Sequence, residues 1–491
     1  MKKNLLPLDR LQRLRIEPAS KKAGAAVRIL PVDDGCRPLL DLDEGFALPA
    51  LPGEFRGTPG ERFDAHDGGR RVIVVGCGAR GAATQHGDYW ENAAWRVAQL
   101  MRSANLALAE LAGTVPADAL PAFATGVLLA GYDNQLYRRE PANDALPAAV
   151  LRIPGASRKA LRAAIDTAEA VNWARALVDA PANHLTPAAF ADEARSLAAL
   201  GVKVEVFDEA ALRKLGAHGL LAVGSSSRNK PCMVVARWNG RAAGKTDLAI
   251  VGKGLTFDGG GLNLKLQLIE KMKFDMGGAA AAIAALRLLA AQNAKLNVAV
   301  VLAVCENVIA GDAYRPGDVI GSLEGLTIEV ANTDAEGRIV VADGISYAKR
   351  FKPELLVDIA TLTGSISMTL HQEFAGLYAN DEALAEKIAA AAEQTGDRVW
   401  RMPLSPLQDY IVDSDIADVR NLGASNGLGL PSGASSVAGA KFLERFASGQ
   451  RWAHLDMAST VLSSRQRGAL RPGPTGWGVR LLAALAAGLA D

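Results

Sequence analysis

Hydrophobic residues in this chain gather into runs whose length and period change along its course. Up to about residue 70 short apolar runs are broken by Pro, Gly and charge, and residues 71–75 then read as a buried strand that ends at glycines. A helical pattern follows from about residue 88 to 111. A further apolar run at residues 126–130 stops at Gly131, residues 141–154 have the composition of a connector, and residues 157–178 carry their charges on one side of a helical period. From residue 182 onward apolar strands at 232–236, 248–251, 298–304 and 355–359 alternate with helix-like segments at 279–289 and 341–351. Strand and helix in alternation predict an α/β fold whose sheet is largely parallel and covered on both faces.

The chain's 491 residues exceed what one core usually holds, since single domains rarely grow past about 250–300 residues. The expectation is an α/β protein of two domains, residues 1–156 and 157–491, each a largely parallel or mixed sheet flanked by helices. Sites in such sheets collect at the carboxyl ends of strands, here those of the C-terminal domain. Hydrophobic residues at 49% and charged residues at 22% suit a large core and argue against a disordered chain. Lys+Arg at 54 against Asp+Glu at 53 leave a net charge of +1, so no bulk field draws nucleic acid or an anionic membrane. The N-terminus starts like a signal peptide, but Pro7, Asp9 and Arg10 break its apolar stretch early. No uncharged apolar run reaches the roughly 18 residues of a spanning helix. Cys36, Cys77, Cys232 and Cys305 form no C-x-x-C pair; read as buried small hydrophobes, they fit a reducing cytoplasm.

Some apparent motifs lack the context their chemistry needs. Gly76-Cys77-Gly78-Ala79-Arg80-Gly81 follows a strand and precedes a helix, as a dinucleotide-binding turn does. The acidic residue expected to end a second strand about 20 residues on is missing, because Gln99-Leu100-Met101-Arg102 lies within a helical pattern. Residues 240–246 resemble a phosphate loop one residue short, placed before a strand instead of after it. His66, His86, His184, His218, His371 and His454 show no paired ligand spacing.

Three blocks carry more. Lys253 stands between Gly252 and Gly254 at the end of the 248–251 run, a setting with backbone freedom, and Asp258 follows before Gly259-Gly260-Gly261, with Lys265 beyond. Asp275 precedes the alanine-rich helix, where an N-cap aspartate would stand. Asn332-Thr333-Asp334-Ala335-Glu336-Gly337-Arg338 follows an apolar run at 326–331, and in extended chain Asp334 and Glu336 point to the same side. Two such carboxylates repel unless a cation lies between them; Arg338 is one candidate partner, in a salt-bridged turn. Asp258, Asp275, Asp334 and Glu336 together would neutralise two divalent cations. Metal pairs about 3.5–4 Å apart activate water and polarise carbonyl or phosphoryl oxygens. Hard oxygen ligands suit Mn²⁺ or Mg²⁺ and also accept Zn²⁺. Lys265 and Arg338 would remain as surplus positive charge, to stabilise an oxyanion or hold an anion.

These blocks resemble those of the leucyl aminopeptidase (cytosol aminopeptidase, M17) family. The family's N-T-D-A-E-G-R stands intact at residues 332–338, and its K-G-x-x-F-D at 253–258. Tyr314-Arg315-Pro316-Gly317-Asp318, Asp358-Ile359-Ala360-Thr361-Leu362-Thr363-Gly364 and Trp452-Ala453-His454-Leu455-Asp456 extend the likeness over about residues 170–485. The resemblance implies a two-metal aminopeptidase, on Mn²⁺ or Zn²⁺, that takes peptides with a free N-terminus and prefers a leucine-like first residue. It implies that Asp258, Asp334 and Glu336 hold one metal and Lys253, Asp258, Asp275 and Glu336 the other. It further implies that Lys265 stabilises the gem-diolate and that Arg338 holds a bicarbonate acting as general base. Met272 would line the first side-chain pocket, while Asn332, Thr361, Leu362 and Gly364 would frame the substrate backbone. A cytoplasmic homohexamer is implied as well.

The chain departs from the family in three places. Gly259 replaces the usual Ser or Thr, the segment between Lys265 and Asp275 is one residue shorter and begins Leu266-Gln267 instead of Pro-Ser, and Ile309-Ala310-Gly311 replaces Pro-Ser-Gly. Two other functions compete. A chain that keeps the metal site but serves as a binding or regulatory protein, for example on DNA, would give a salt-dependent shift. A nucleotide-dependent enzyme using residues 76–81 would bind NAD.

Overall fold

The computed structural model describes residues 6–7, 11–19, 25–80, 86–134, 136–139, 148–241, 244–423 and 435–490. Its contacts divide the chain into two compact units, one built mainly on Trp173–Ser463, the other on Pro7–Asn172 with Ser464–Gly473.

In the larger unit the strands are β1 (Lys203–Phe207), β2 (Cys232–Asn239), β3 (Leu248–Asp258), β4 (Asn297–Asn307), β5 (Leu355–Ala360), β6 (Ala375–Ala379), β7 (Val399–Arg401) and β8 (Trp452–Asp456). They form one sheet in the order β7-β6-β8-β5-β3-β4-β2-β1. The four central strands, β8, β5, β3 and β4, run parallel. Strand β2 is antiparallel to β4, β1 to β2 and β6 to β8, so the sheet is mixed at its edges. Helices α1 (Gly277–Ala291), α2 (Glu336–Ala348) and α3 (Ser436–Phe446) are largely buried. Every residue of β4 is buried, which is why its sequence is a continuous apolar run without alternation.

Helix α1 lies close on the sheet because both surfaces are small. A Cβ on Gly278 would stand 2.1 Å from the Ile359 carbonyl oxygen, and one on Gly252 2.6 Å from Ala279 Cα. With the turn before it, Ile269–Ala291 is apolar and long enough to cross a membrane by composition, with mean hydropathy 1.5, but 83% of that window is buried within the protein.

In the smaller unit Leu14–Pro18, Ala149–Ile153, Leu108–Leu111, Val27–Val32, Arg70–Gly76 and Arg62–Asp67 form a six-stranded sheet in that order. It is parallel except for its last pair. Cys77, Cys232 and Cys305 are buried and Cys36 partly so, all as free thiols.

Several local expectations change. The 126–130 run lies in the helix Leu120–Ala130, whose burial removes the periodicity that separates helix from strand. The pattern at 88–111 resolves into the helix His86–Ser103 and the strand Leu108–Leu111, interrupted at Asn105 with a φ of 50°. The connector at 141–154 contains the strand Ala149–Ile153, while residues 140–147 lie outside the described residues. The 326–331 run pairs only at Ile328–Glu329, in a small sheet with Val319–Ile320 and Val419–Arg420. Of the glycine-rich turn, Gly76 ends its strand and Gly81 lies outside the described residues.

Candidate active site

Lys253 is not at a strand end. Strand β3 continues to Asp258, so the Lys253 backbone belongs to the sheet. Its flanking glycines answer to packing: Gly252 admits α1, and a Cβ on Gly254 would stand 2.7 Å from the Ala303 carbonyl oxygen. Lys253 is 2% exposed, and its Nζ lies 2.9 Å and 2.7 Å from the two Asp275 oxygens, 3.1 Å from Glu336 Oε1 and 2.9 Å from the Thr361 carbonyl oxygen. Asp275 precedes Met276, the N-cap of α1, and does not itself cap. Its carboxylate instead accepts from Lys253 and from Thr361 Oγ1 at 2.7 Å.

Asp258 ends β3, beside Asn307 at the end of β4. Its Oδ1 accepts from Gly260 N and Asn307 Nδ2, both at 2.9 Å, and its Oδ2 lies 2.9 Å from Lys265 Nζ. Lys265 also pairs with Asp334. Despite the shortened segment, with Leu266 91% exposed and Leu268 at a φ of 56°, Lys265 reaches the cluster. Asp334 and Glu336 do not lie along one extended segment. Glu336 opens α2 and Asp334 lies in the turn before it. They converge nonetheless: ligand oxygens of Asp258, Asp334 and Glu336 all lie within 4.8 Å of one another.

Four carboxylates and two lysines leave an excess of negative charge in a buried place, and the electrostatics record it. Burial is the largest cause in each acid. It raises Asp275 to about 8 and Asp334 to about 7, with Asp258 and Glu336 adding repulsion, and it raises Asp258 too. Glu336 is lowered, because Lys253 and Lys265 outweigh its burial. Both lysines are raised, since the carboxylates outweigh the desolvation of the ammonium. Glu336 Oε2 is buried without a hydrogen-bond partner among the described residues. Clustered hard oxygens, an orphaned carboxylate oxygen and surplus negative charge fit divalent cations.

Arg338 lies two residues into α2 and is 3% exposed, with Nε and Nη1 lacking hydrogen-bond partners among the described residues. Burial lowers it to about 10, so it stays charged at neutral pH. A buried guanidinium with unused donors fits a small planar anion. Gly439 on α3 packs against this region: a Cβ there would stand 2.9 Å from Leu362 Cδ2 and, at 3.7 Å, in ordinary contact with Arg338 Nη2.

Of the remaining predicted residues, Thr361 and Asn332 bond directly to members of the cluster. Thr361 spends its hydroxyl on Asp275 and its carbonyl on Lys253, and Leu362 N donates to Asp456 Oδ1 at 3.1 Å. Gly364 opens the helix Gly364–Leu370, and Met272 lies in the turn Ile269–Phe274. Asn332 Oδ1 accepts from Asp334 N at 2.7 Å, fixing the turn that carries Asp334. Gly259 N donates to the Asn307 carbonyl oxygen at 2.8 Å, and a Cβ there would stand 3.1 Å from it, so the missing hydroxyl coincides with tight packing.

Sequence reasoning assigned no role to Asn307, Asn421 or Asp456. Asn421 Nδ2 donates to the Asn332 carbonyl oxygen at 2.7 Å. Asp456 accepts from Thr363 Oγ1 at 2.6 Å and orders the loop after β5. A polar residue at the carboxyl end of an apolar strand, as Asn307 and Asp456 are, was the available signal.

Residues 172–483 match the catalytic domain of the cytosol aminopeptidase family. A curated protein of Xanthobacter autotrophicus named "Probable cytosol aminopeptidase" is 40% identical over 423 residues, covering 84% of this chain and 83% of that one. A protein of the same name from Rhizobium meliloti is 38% identical over 490 residues, covering 96% and 94%. Among solved structures, the bottromycin maturation enzyme BotP in complex with Mn superposes with a TM-score of 0.82 at 32% identity, over 95% of this chain and 100% of that one.

Proposed function

The chain belongs to the cytosol aminopeptidase family and is a metallo-aminopeptidase, and from that premise we propose that it releases leucine-like N-terminal residues from peptides by two-metal activation of water. The observation that carries this reading is the carboxylate cluster, buried at Asp258 and Glu336 and partly exposed at Asp334, whose oxygens lie within 4.8 Å of one another. Asp258, Asp334 and Glu336 would hold one cation and Lys253, Asp258, Asp275 and Glu336 the other. When bound, the pair supplies a nucleophilic water and polarises the scissile carbonyl. Mn²⁺ is favoured by the manganese complex of the neighbour, and Zn²⁺ suits the same donors.

The chain's own groups do the rest. Lys253 must give up a proton to act as a ligand, which costs about 5 kcal/mol at pH 7 from an ordinary lysine pKa, and more while the carboxylates beside it favour the ammonium. Apparent metal affinities of roughly 10 kcal/mol or more exceed that. Lys265 carries its charge beside Asp258 and Asp334, where an oxyanion would develop, and stabilises it. Arg338 holds an anion; a bicarbonate there would supply the general base. Met272 lines the first side-chain pocket, and Asn332, Thr361, Leu362 and Gly364 frame the substrate backbone. Residues 1–156 would form a separate α/β domain and 157–491 the catalytic one, whereas the compact units divide between Asn172 and Trp173, with Ser464–Gly473 in the smaller. The relatives' names favour the cytosol, and the family resemblance adds a homohexamer, which light scattering would report as six copies of the 51.4 kDa chain.

The test compares leucyl-anilide with N-acetyl-leucyl-anilide across pH 6 to 10 at saturating Mn²⁺. A free amine that serves as a metal ligand must be unprotonated, so activity should be higher at pH 9 than at pH 6.5, an α-amine having a pKa near 7.7–8.0. Comparable cleavage of the acetylated compound would overturn the aminopeptidase reading.

A further inference from the structure

We propose that Asn307 is a positioning residue that decides which oxygen of Asp258 faces the cations, an inference that rests on the two-metal reading. Asn307 ends β4, directly beside Asp258 at the end of β3, and is fully buried. Its Nδ2 donates to Asp258 Oδ1 at 2.9 Å and to the Thr333 carbonyl oxygen at 3.0 Å. Gly260 N donates to the same Oδ1 at 2.9 Å. With Oδ1 accepting twice, its lone pairs are occupied, whereas Oδ2 faces Lys265 inside the cluster. Asp258 therefore presents Oδ2 to whatever lies between the carboxylates.

The amide has one workable orientation. Turned over, its oxygen would face two acceptors, Asp258 Oδ1 and the Thr333 carbonyl oxygen. In the orientation it holds, its own Oδ1 is buried without a hydrogen-bond partner among the described residues, close to Gly261, where a Cβ would stand 2.9 Å away. Leaving that acceptor unpaired costs free energy, so both N–H groups are committed to the site at the amide oxygen's expense. Thr333 precedes Asp334, so one side chain ties the end of β3 to the turn that carries Asp334 and leads into Glu336. Tyr314 Oη also donates to the Thr333 carbonyl oxygen, at 2.8 Å, which gives that link a second holder.

The test uses the full-length, Mn²⁺-loaded protein and reads the chelator concentration that releases half the metal, beside the melting temperature of the chelated form. Asn307→Leu keeps the branched shape without donors, and Asn307→Ser serves if the leucine variant does not fold. Both are expected to release Mn²⁺ at about 10- to 100-fold lower chelator concentration. Tyr314→Phe, which leaves Asp258 untouched, should release it within about threefold of wild type. Wild-type retention in the Asn307 variants, or equal release from Tyr314→Phe, overturns the inference. Asp258→Ala separates the two failures: if it too retains metal, the two-metal reading is what fails.

Discussion

Gly337 follows the Glu336 carboxylate and precedes Arg338, and its missing side chain makes room for Lys253. A Cβ at this position would stand 2.5 Å from both Lys253 Cε and Nζ. Ordinary contact begins near 3.4 Å, so Gly337→Ala demands a shift of about 0.9 Å, the difference between the two distances. A flexible lysine tip would normally absorb such a clash. This one cannot swing aside without breaking its contacts with Asp275, Glu336 and Thr361, and it is 2% exposed. The strain must go into α2 or into Lys253, and either displaces a proposed ligand. Overpacking of this kind costs about 1–3 kcal/mol of stability, and a misplacement of about 1 Å at a reacting centre costs roughly 10²-fold in rate. Gly337→Ala should therefore fold with a lowered melting temperature, hydrolyse leucyl-anilide at least 10²-fold more slowly, and bind fewer metal ions per chain than wild type. The assay pairs initial rates at saturating Mn²⁺ with metal analysis of the same dialysed sample. A variant with two metals per chain and a kcat within threefold of wild type would show that Lys253 is free to move and is not a fixed ligand.

Lys265→Ala should lower kcat by about 10²-fold or more with metal content unchanged, because in its proposed role the charge acts on a developing oxyanion; loss of metal would make it structural instead. Asp258→Ala and Glu336→Ala should each abolish activity and lower metal content, and chelation of the wild type should be reversed by Mn²⁺ or Zn²⁺, as metal analysis would report. In the chelated protein, Asp275 near 8, Asp334 near 7 and Asp343 near 7, the last raised by burial, all lie above the unfolded aspartate value. The folded state thus binds more protons than the unfolded one between about pH 4 and 8, and its stability falls as pH rises through 7 and 8. Melting of the chelated protein should drop from pH 6 to pH 8.5, and a rise over that interval would contradict the assignment of these burial effects.

Several elements were legible because their physics is local. The continuous apolar runs of β3, β4 and β5 declare strands buried on both faces, and Gly277-Gly278 before an alanine-rich stretch declares a helix pressed against them. Four carboxylates with Lys253 and Lys265 could be gathered from motifs, since their residue types and order survive any uncertainty in secondary structure. Other elements were ambiguous. The helix Leu120–Ala130 is buried along most of its length and so carries no period, and the helical pattern ending at Ser103 runs without a strong break into the strand Leu108–Leu111.

The α/β class, the parallel core, the choice of hard oxygen donors and the set of charged residues at issue could all be read along the chain, because hydrophobic period and ligand chemistry are properties of the residues. How those residues meet came from the fold. Lys253 lies within a strand and not in a loop, Asp275 turns to Lys253 and Thr361 instead of capping α1, and Asp334 and Glu336 converge through a turn and a helix start instead of along one strand. Asn307, silent in the sequence, proves to join two of the three blocks. Each of these depends on contacts between residues distant along the chain, set by which strands lie side by side, and no local pattern encodes that adjacency.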